Sequence, residues 1–269
     1  MTSRTMQTNK QKPDQDATIR KVKEAKDNAA KLMRESGHDI GDIVKVRIDP
    51  NLPFMGYTMP LEDGTFRIVV AGNAVDSGML EGLLVHEMSH VYRMKSHHPS
   101  HDASIIEGVI NNFGKDVVKY EYQEKIMHDI LNDVQDLYAD DVSFKVIRQG
   151  RVFPVQELTR FLQSWVKEEP EGPSDDAKRD RWVNAGILVH NARAIAQMER
   201  HKVPDIEGRA ERASHEFLSK VPGSMAREFG YFRDLLANMD EALTEDGYRK
   251  LLNEYVGRFL SIAGENYPG

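Results

Sequence analysis

The sequence predicts an α+β fold in which a small mixed core is followed by a mostly α-helical C-terminal lobe. Three observations predict it: a β-branched run at 65–71, a helix-compatible run with two histidines at 86 and 90, and helical periodicity through the C-terminal half. A chain of 269 residues, 40% of them hydrophobic, can build one large or two modest domains. The predicted organisation is a disordered tail at 1–16, a core at 17–150 and a helical lobe at 151–269.

The first predicted elements are a helix and a small sheet. Residues 1–16 are polar and without an apolar period, which is typical of disorder. Residues 17–35 have the apolar spacing of an amphipathic helix. A strand is predicted at 43–48, and the segments 52–60 and 65–71 flank a turn as a hairpin.

The rest of the chain reads as helices. One helical pattern spans 119–148, and the segment 167–178, rich in Pro, Gly and acidic residues, is predicted to be a surface linker. Four further helices are predicted at 178–200, 205–220, 224–240 and 243–263. The predicted core of the lobe consists of Trp182, Ile187, Leu188, Phe217, Phe229, Leu235, Leu236, Leu251, Leu252, Tyr255 and Phe259.

The central motif is His86-Glu87-Met88-Ser89-His90, an HExxH pattern in an otherwise apolar run. Residues four apart share one face of a helix, so His86 and His90 can offer two imidazole nitrogens to one Zn²⁺. Glu87 is placed to take a proton from a water that the metal activates, which is peptidase chemistry. Asp76 or Ser77 is expected to cap this helix. The strand at 65–71 is expected to be a sheet edge where a substrate peptide can be added as a further strand.

A catalytic zinc site needs a third protein ligand and keeps one position for water. Asn132, Asp136 and Asp140 recur every four residues on the predicted 119–148 helix, so they form a polar stripe beside apolar neighbours. Carboxylates that face a core need partners, and a metal site would provide them. The stripe therefore supplies the main candidates for the third ligand.

The combination resembles the gluzincin-type zinc peptidases, including the small minigluzincins, in which HExxH is followed by a helix reading ExxADxxA. The matching positions are Asp136, Ala139, Asp140 and Ser143. The resemblance implies a zincin-like core over roughly 17–148, with Asp136 as third ligand and Asp140 as hydrogen-bond partner of His86 or His90. The chain departs from the pattern in having Asp136 where the family has Glu, which shortens the ligand arm by one methylene.

Three other residues compete for the third ligand. Glu107, with Asn111 four residues later, is similar to the glutamate helix of thermolysin-type enzymes. His98 and His101 lie where SprT-like proteases carry a third histidine. The group that would stabilise the tetrahedral intermediate is left open among Tyr92, His98, His101, His128 and His190. A hydrogen-bonded core histidine is the favoured interpretation of His190.

Composition narrows the class of protein. A net charge of −7 and a pI near 5.8 provide no basic surplus for nucleic acid. The absence of cysteine excludes disulfides and thiolate metal ligands, so any transition metal must be held by His, carboxylate and water. Without a signal-like or membrane-spanning apolar stretch, the sequence predicts a cytoplasmic protein with no membrane partner.

These observations predict a zinc metallopeptidase, a hydrolase acting on a peptide or protein substrate, with Glu87 as the general base. The alternative is a non-catalytic helical interaction or regulatory protein stabilised by zinc. The two differ in coordination, because a structural zinc is closed by four protein ligands and a catalytic zinc keeps water. Nothing in the sequence specifies the substrate or the oligomeric state.

Overall fold

The computed structural model describes residues 15–265, so nearly all of the predicted tail at 1–16 lies outside the described residues. The chain forms two compact units, one ending at Met88 and one beginning at Ser89. This boundary falls inside the continuous helix α3 (Leu80–Lys95). It differs from the predicted boundary at residue 150 because the helix that precedes residue 150 packs against the C-terminal helices.

The N-terminal unit combines helices with a three-stranded sheet, which agrees with the predicted α+β class. Its elements are α1 (Gln15–Glu35), β1 (Val44–Asp49), β2 (Gly56–Pro60), β3 (Phe66–Ala71), α2 (Gly72–Val75) and the first half of α3. The predicted helix at 17–35 and strand at 43–48 are confirmed. The predicted hairpin is also confirmed, because β2 and β3 pair antiparallel.

The prediction that 65–71 forms an edge strand is wrong. The strand order is β1-β3-β2, with β1 parallel to β3, so β3 is the central strand. Its last four residues, 68–71, are all buried, and a strand covered on both faces reads as a continuous apolar run. The open edge on the hairpin side of the sheet belongs to β2 instead.

Helix α3 begins later than predicted. Its first residue is Leu80, and the carbonyl of Met79 accepts the N–H of Leu83 at 2.9 Å. Asp76 ends the short helix α2, and the Ser77 hydroxyl accepts the N–H of Met79 at 3.1 Å. Neither predicted cap is therefore the N-cap of α3.

The second unit is helical in its described residues. After the rest of α3 come α4 (Ala103–Val117), α5 (Glu121–Gly150), α6 (Val155–Gln163), α7 (Ala177–Arg200), α8 (Arg209–Lys220), α9 (Gly223–Ala226), α10 (Phe229–Ala237) and α11 (Glu245–Ala263). Short 3-10 turns lie at Pro99–His101 and Ile206–Gly208. The helix predicted at 224–240 is divided into α9 and α10, and α6 was not predicted.

Helix α7 is the centre of this unit, because α5, α10 and α11 all pack against it. Trp182 on α7 has no exposed surface. The predicted core is confirmed except that Phe229, Leu235 and Leu251 are only partly buried. Within residues 15–265, no helix is both long enough and apolar enough to cross a membrane.

The predicted linker lacks helix and strand until α7 begins, yet it is fastened to that helix. The backbone N–H of Lys167 donates to the Asn191 side chain, whose amide donates back to the Lys167 carbonyl, each at 2.9 Å. Glu171 makes the same two-way exchange with Asn184, at 2.8 Å in each direction. Asn184 and Asn191, two turns apart on α7, thus fix the path of residues 167–171. From its composition alone this segment is predicted only to be a loop.

The fold predicts a pH-dependent stability centred on His201. This residue is buried at the end of α7, where its ring stacks on Phe144 with 4.1 Å between centroids. Burial lowers the pKa of His201 to about 4. Between this value and the usual pKa of about 6.5, the unfolded chain binds a proton that the folded chain does not, so stability falls as the pH falls through that range.

Between pH 7 and pH 4, this titration should lower the free energy of unfolding of the wild type by on the order of 2 kcal/mol. His201→Phe keeps a stacking ring and removes the titration, so we expect the variant not to show this loss. Denaturant unfolding at several pH values measures this loss. His215→Gln, at an exposed position on α8, is the control and should leave the pH profile unchanged. Equal profiles for wild type and His201→Phe would contradict the assignment.

Candidate metal centre

Helix α3 carries the three residues of the motif that bear chemistry. His86 and His90 are both half-buried and are separated by one helical turn. Glu87, between them in sequence, has only 3% of its surface exposed. The helix is apolar around them, with Val85, Met88 and Val91 fully buried. The motif thus presents two imidazoles and one shielded carboxylate from a buried helix.

Asp136 on α5 faces the second motif histidine. Its Oδ1 atom lies 3.4 Å from Nε2 of His90. This separation is longer than an ordinary hydrogen bond. It matches the distance of about 3.3–3.6 Å expected between two atoms that each lie about 2.0–2.2 Å from one tetrahedral zinc.

Three predicted residues come together as a potential ligand set. His86, His90 and Asp136 each offer one ligand atom, and these atoms lie within 4.8 Å of one another. Because α3 is one continuous helix, the position of His86 relative to His90 is set by the helix itself. Two imidazoles and one carboxylate form a donor set that suits zinc, and they leave a tetrahedral site one open position.

The approach of α3 to α5 is fixed by Arg93. This side chain is buried three residues after His90, and its Nε donates to the backbone carbonyl of Tyr138 at 2.8 Å. Its Nη2 donates to Glu241 at 3.1 Å. Tyr138 lies two residues after Asp136, so this contact holds the part of α5 that carries the carboxylate beside the part of α3 that carries His90.

The carboxylate of Glu87 has a partner on the edge strand β2. Thr58 Oγ1 lies 2.7 Å from Glu87 Oε2 and 3.1 Å from the backbone carbonyl of Glu87. Both are acceptors and the hydroxyl has one proton, so it donates to one of them at a time. The shorter contact is the one to the carboxylate. Thr58 thereby orients the side chain that the motif assigns as general base, and no local motif in the sequence points to it.

A chain of hydrogen bonds extends from the other nitrogen of His90. His90 Nδ1 lies 2.8 Å from His101 Nε2, and His101 Nδ1 lies 2.7 Å from Ser100 Oγ. The same hydroxyl contacts His98 Nδ1 at 2.7 Å, and His98 Nε2 lies 2.9 Å from the Glu241 carbonyl. Such a partner fixes the tautomer of a ligand histidine. Burial, and then the neighbouring His90, hold the pKa of His101 well below its usual value.

The other candidates for the third ligand lie elsewhere. Glu107 is exposed on α4. Both ring nitrogens of His98 have protein partners, and His101 approaches the Nδ1 side of His90, away from the Nε2 that faces Asp136. Within residues 15–265, the three-residue ligand cluster includes Asp136 and none of these alternatives.

The acidic residues of α5 face a set of polar residues on α7 that no local pattern in the sequence indicates. This α5–α7 polar interface consists of Asp133, Asp136, Asp140 and Asp141 on α5 and of His190, Arg193, Gln197 and Arg200 on α7. Arg193 lies at its centre, 3.5 Å from Asp133, 3.3 Å from Asp136 and 3.7 Å from Asp140. Burial lowers the pKa of Arg193, but the three carboxylates outweigh it and the pKa is raised.

Asp140 is buried one helical turn beyond Asp136. Its Oδ1 accepts from the Ser143 hydroxyl at 2.9 Å, and its Oδ2 contacts the Gln197 amide. Its expected hydrogen bond to a ligand histidine remains a prediction. The polar stripe on α5 was predicted to begin at Asn132, but Asn132 is exposed. The buried polar residue at this end of the stripe is Asp133.

His190 is hydrogen-bonded, as its favoured interpretation states, although its side chain is 36% exposed and so lies at the edge of the core. Its Nδ1 lies 3.2 Å from Asp133 Oδ2. Both residues line a cavity of about 600 Å³ between α5 and α7. Asp133 is three residues before Asp136, so the cavity begins about one helical turn from the candidate ligand. His128 is exposed.

The chain belongs to a family of unknown function, DUF5781, whose model matches residues 20–260. No curated protein and no solved structure matches it. The family description names no activity.

Substitution of the carboxylates ranks the candidate ligands. Asp136→Asn removes a negative charge from the ligand cluster and should weaken zinc binding by more than about 100-fold. Asp140→Asn should weaken it by roughly 10–100-fold if that residue orients a ligand histidine. Glu107→Gln should leave affinity nearly unchanged. Competition with a chromogenic chelator measures all three.

The reverse ranking, with Glu107 dominant and Asp136 silent, would move the site to a thermolysin-like arrangement. His98→Ala and His101→Ala complete the series. A loss of affinity greater than that of Asp136→Asn in either variant would make that histidine the third ligand instead.

Proposed function

We propose that this protein is a zinc-dependent metallopeptidase that hydrolyses peptide bonds. The observation that carries the proposal is the convergence of one atom each from His86, His90 and Asp136 within 4.8 Å. Glu87, whose carboxylate can serve as a general base, follows His86 directly in the sequence. The proposal extends the resemblance of the sequence to gluzincins and rests on the fit of this donor set to zinc.

The zinc, when bound, would lower the pKa of a water molecule and polarise the carbonyl of the scissile bond. His86, His90 and Asp136 would hold the ion and leave one position open. The net charge of these three ligands is −1, because the imidazoles bind in the neutral form. The buried, apolar surroundings of α3 would strengthen each electrostatic contact made there.

Glu87 would move the proton. Its carboxylate accepts a proton from the attacking water, the water oxygen bonds to the carbonyl carbon, and the same proton passes to the leaving amine as the C–N bond breaks. The 2.7 Å hydrogen bond from Thr58 to Oε2 leaves Oε1 as the oxygen free to take this proton. The Thr58 contact restrains the orientation of this carboxylate, and the step further requires Oε1 to come within hydrogen-bond reach of the attacking water.

The rival function is a zinc-stabilised interaction or regulatory protein without catalysis. Three ligands in one cluster favour the catalytic alternative, since a structural zinc has four. X-ray absorption on the zinc-loaded protein counts the protein atoms on the ion. Three protein ligands plus one water oxygen support the peptidase, whereas four protein ligands would support the rival.

The general base is tested with Glu87→Gln. This nearly isosteric change should retain stoichiometric zinc and reduce peptide hydrolysis by at least about 100-fold. The assay is cleavage of a peptide library by the zinc-loaded protein, followed by mass spectrometry. Glu81→Gln, on the first turn of the same helix, is the matched control and should cleave like wild type. Activity of Glu87→Gln within tenfold of wild type would refute the mechanism.

The role of Thr58 is tested separately. Thr58→Val has the same shape without the hydroxyl, so it should retain zinc and lower the hydrolysis rate by roughly 10–100-fold, the cost of one hydrogen bond to a charged group. Thr58→Ser restores the hydroxyl and should recover most of the rate. Equal rates for Val and Ser at this position would mean that Thr58 does not position the general base.

A further inference from the structure

We propose that Arg193 is a positioning residue for the metal centre: it fixes the outer oxygen of Asp136 so that the inner oxygen faces His90. This inference rests on the proposed zinc site and adds to it the residue that determines how the third ligand is presented. Arg193 lies on α7, 57 residues beyond Asp136, and no motif links the two.

The geometry divides the carboxylate of Asp136 between two partners. Oδ2 accepts from Arg193 Nη2 at 3.3 Å, while Oδ1 lies 3.4 Å from His90 Nε2. With Oδ2 engaged by the guanidinium, the carboxylate presents Oδ1 to the side where His90 lies. Arg193 therefore favours a single-oxygen ligand, the mode that keeps a tetrahedral site at three protein atoms.

The guanidinium is itself immobilised. Its side chain is 5% exposed, and it contacts Asp133 through Nη1 and Asp140 through Nη2. Its Cζ lies 4.6 Å from the ring centroid of Trp165. A planar fork held by carboxylates at its edge and by an aromatic ring at its face has little freedom. Its position is thus transmitted to Asp136.

The charge of Arg193 matters as well as its shape. Asp133, Asp136 and Asp140 lie on one side of α5 at spacings of three and four residues, where like charges repel one another. One buried cation shared by three carboxylates offsets this repulsion and leaves Asp136 able to face a metal ion. Lysine keeps the charge but has no planar fork, so Arg193→Lys separates positioning from neutralisation.

The experiment compares Arg193→Lys with a control from the same interface. Arg200 also joins α7 to α5, because it donates to the two carboxylate oxygens of Asp141 at 2.6 and 2.7 Å. These two hydrogen bonds do not involve Asp136. Arg193→Lys should weaken zinc binding by roughly 10–100-fold, the range for partners of metal ligands. Arg200→Lys should change it by less than about threefold. Chelator competition gives both affinities, and circular dichroism verifies that the variants are folded.

A double-mutant cycle tests whether Arg193 acts through Asp136. In the Asp136→Asn background, Arg193→Lys should have almost no further effect on zinc affinity, because the residue through which it acts is already altered. The absorption spectrum of the Co²⁺-substituted protein should change in Arg193→Lys and stay that of wild type in Arg200→Lys. Additive losses in the cycle, or equal losses in the two Arg variants, would overturn the proposal.

Trp165→Leu provides a second variant should Arg193→Lys not fold. It removes the ring beside the guanidinium without altering any charge and should weaken zinc binding about two- to fivefold, the size of an ordinary cation–π contact. Unchanged affinity in a folded Trp165→Leu would then count against the proposal. Wild-type protein that binds no zinc would refute the proposed function and this inference together, whereas normal zinc binding in Arg193→Lys would refute the inference alone.

Discussion

The α5–α7 polar interface is the interaction on which the arrangement of the helical unit depends. Asp133, Asp140 and Asp141 are buried on α5, and buried carboxylates are costly unless cations and hydrogen-bond donors face them. Arg193 and Arg200 on α7 supply both. Helix α7 is held in turn by α10 and α11. The packing of α5 against α7 therefore fixes the position of α5, the helix that carries the candidate ligand Asp136.

A second set of contacts ties this interface to α3. Arg93 donates to the backbone of α5 and lies 3.9 Å from Asp141, which Arg200 holds from the other side. One buried carboxylate is thus shared by arginines from two helices. The bond from Arg93 to the Tyr138 carbonyl holds α3 beside α5 at the level of His90 and Asp136, so the donor set is preorganised by a contact that the metal itself does not make.

The proposed catalytic residues divide into those that act on the substrate and those that orient them. Glu87 and the two histidines come from a single turn of α3, whereas their hydrogen-bond partners come from other elements. Thr58 lies on an edge strand, His101 lies in a 3-10 turn, and both make hydrogen bonds to motif side chains. The activity of such a site therefore depends on contacts that a short motif cannot contain.

The sequence by itself determined the α+β class, most helix positions and the β2–β3 hairpin, because helical and strand periods are local properties of the chain. It offered Asp136 as one of several candidate partners of the HExxH helix, and the packing of α5 brings Asp136 beside His90. It did not determine that β3 is central, since strand order depends on which segment returns to pair with β1. Nor did it determine the role of Arg193, Thr58 or His101. Arg193 and Thr58 meet their partners only when segments far apart in the sequence pack together, and no spacing rule along the chain specifies which polar groups will face each other. His101 is 11 residues from His90, and the 3-10 turn after α3 places it there.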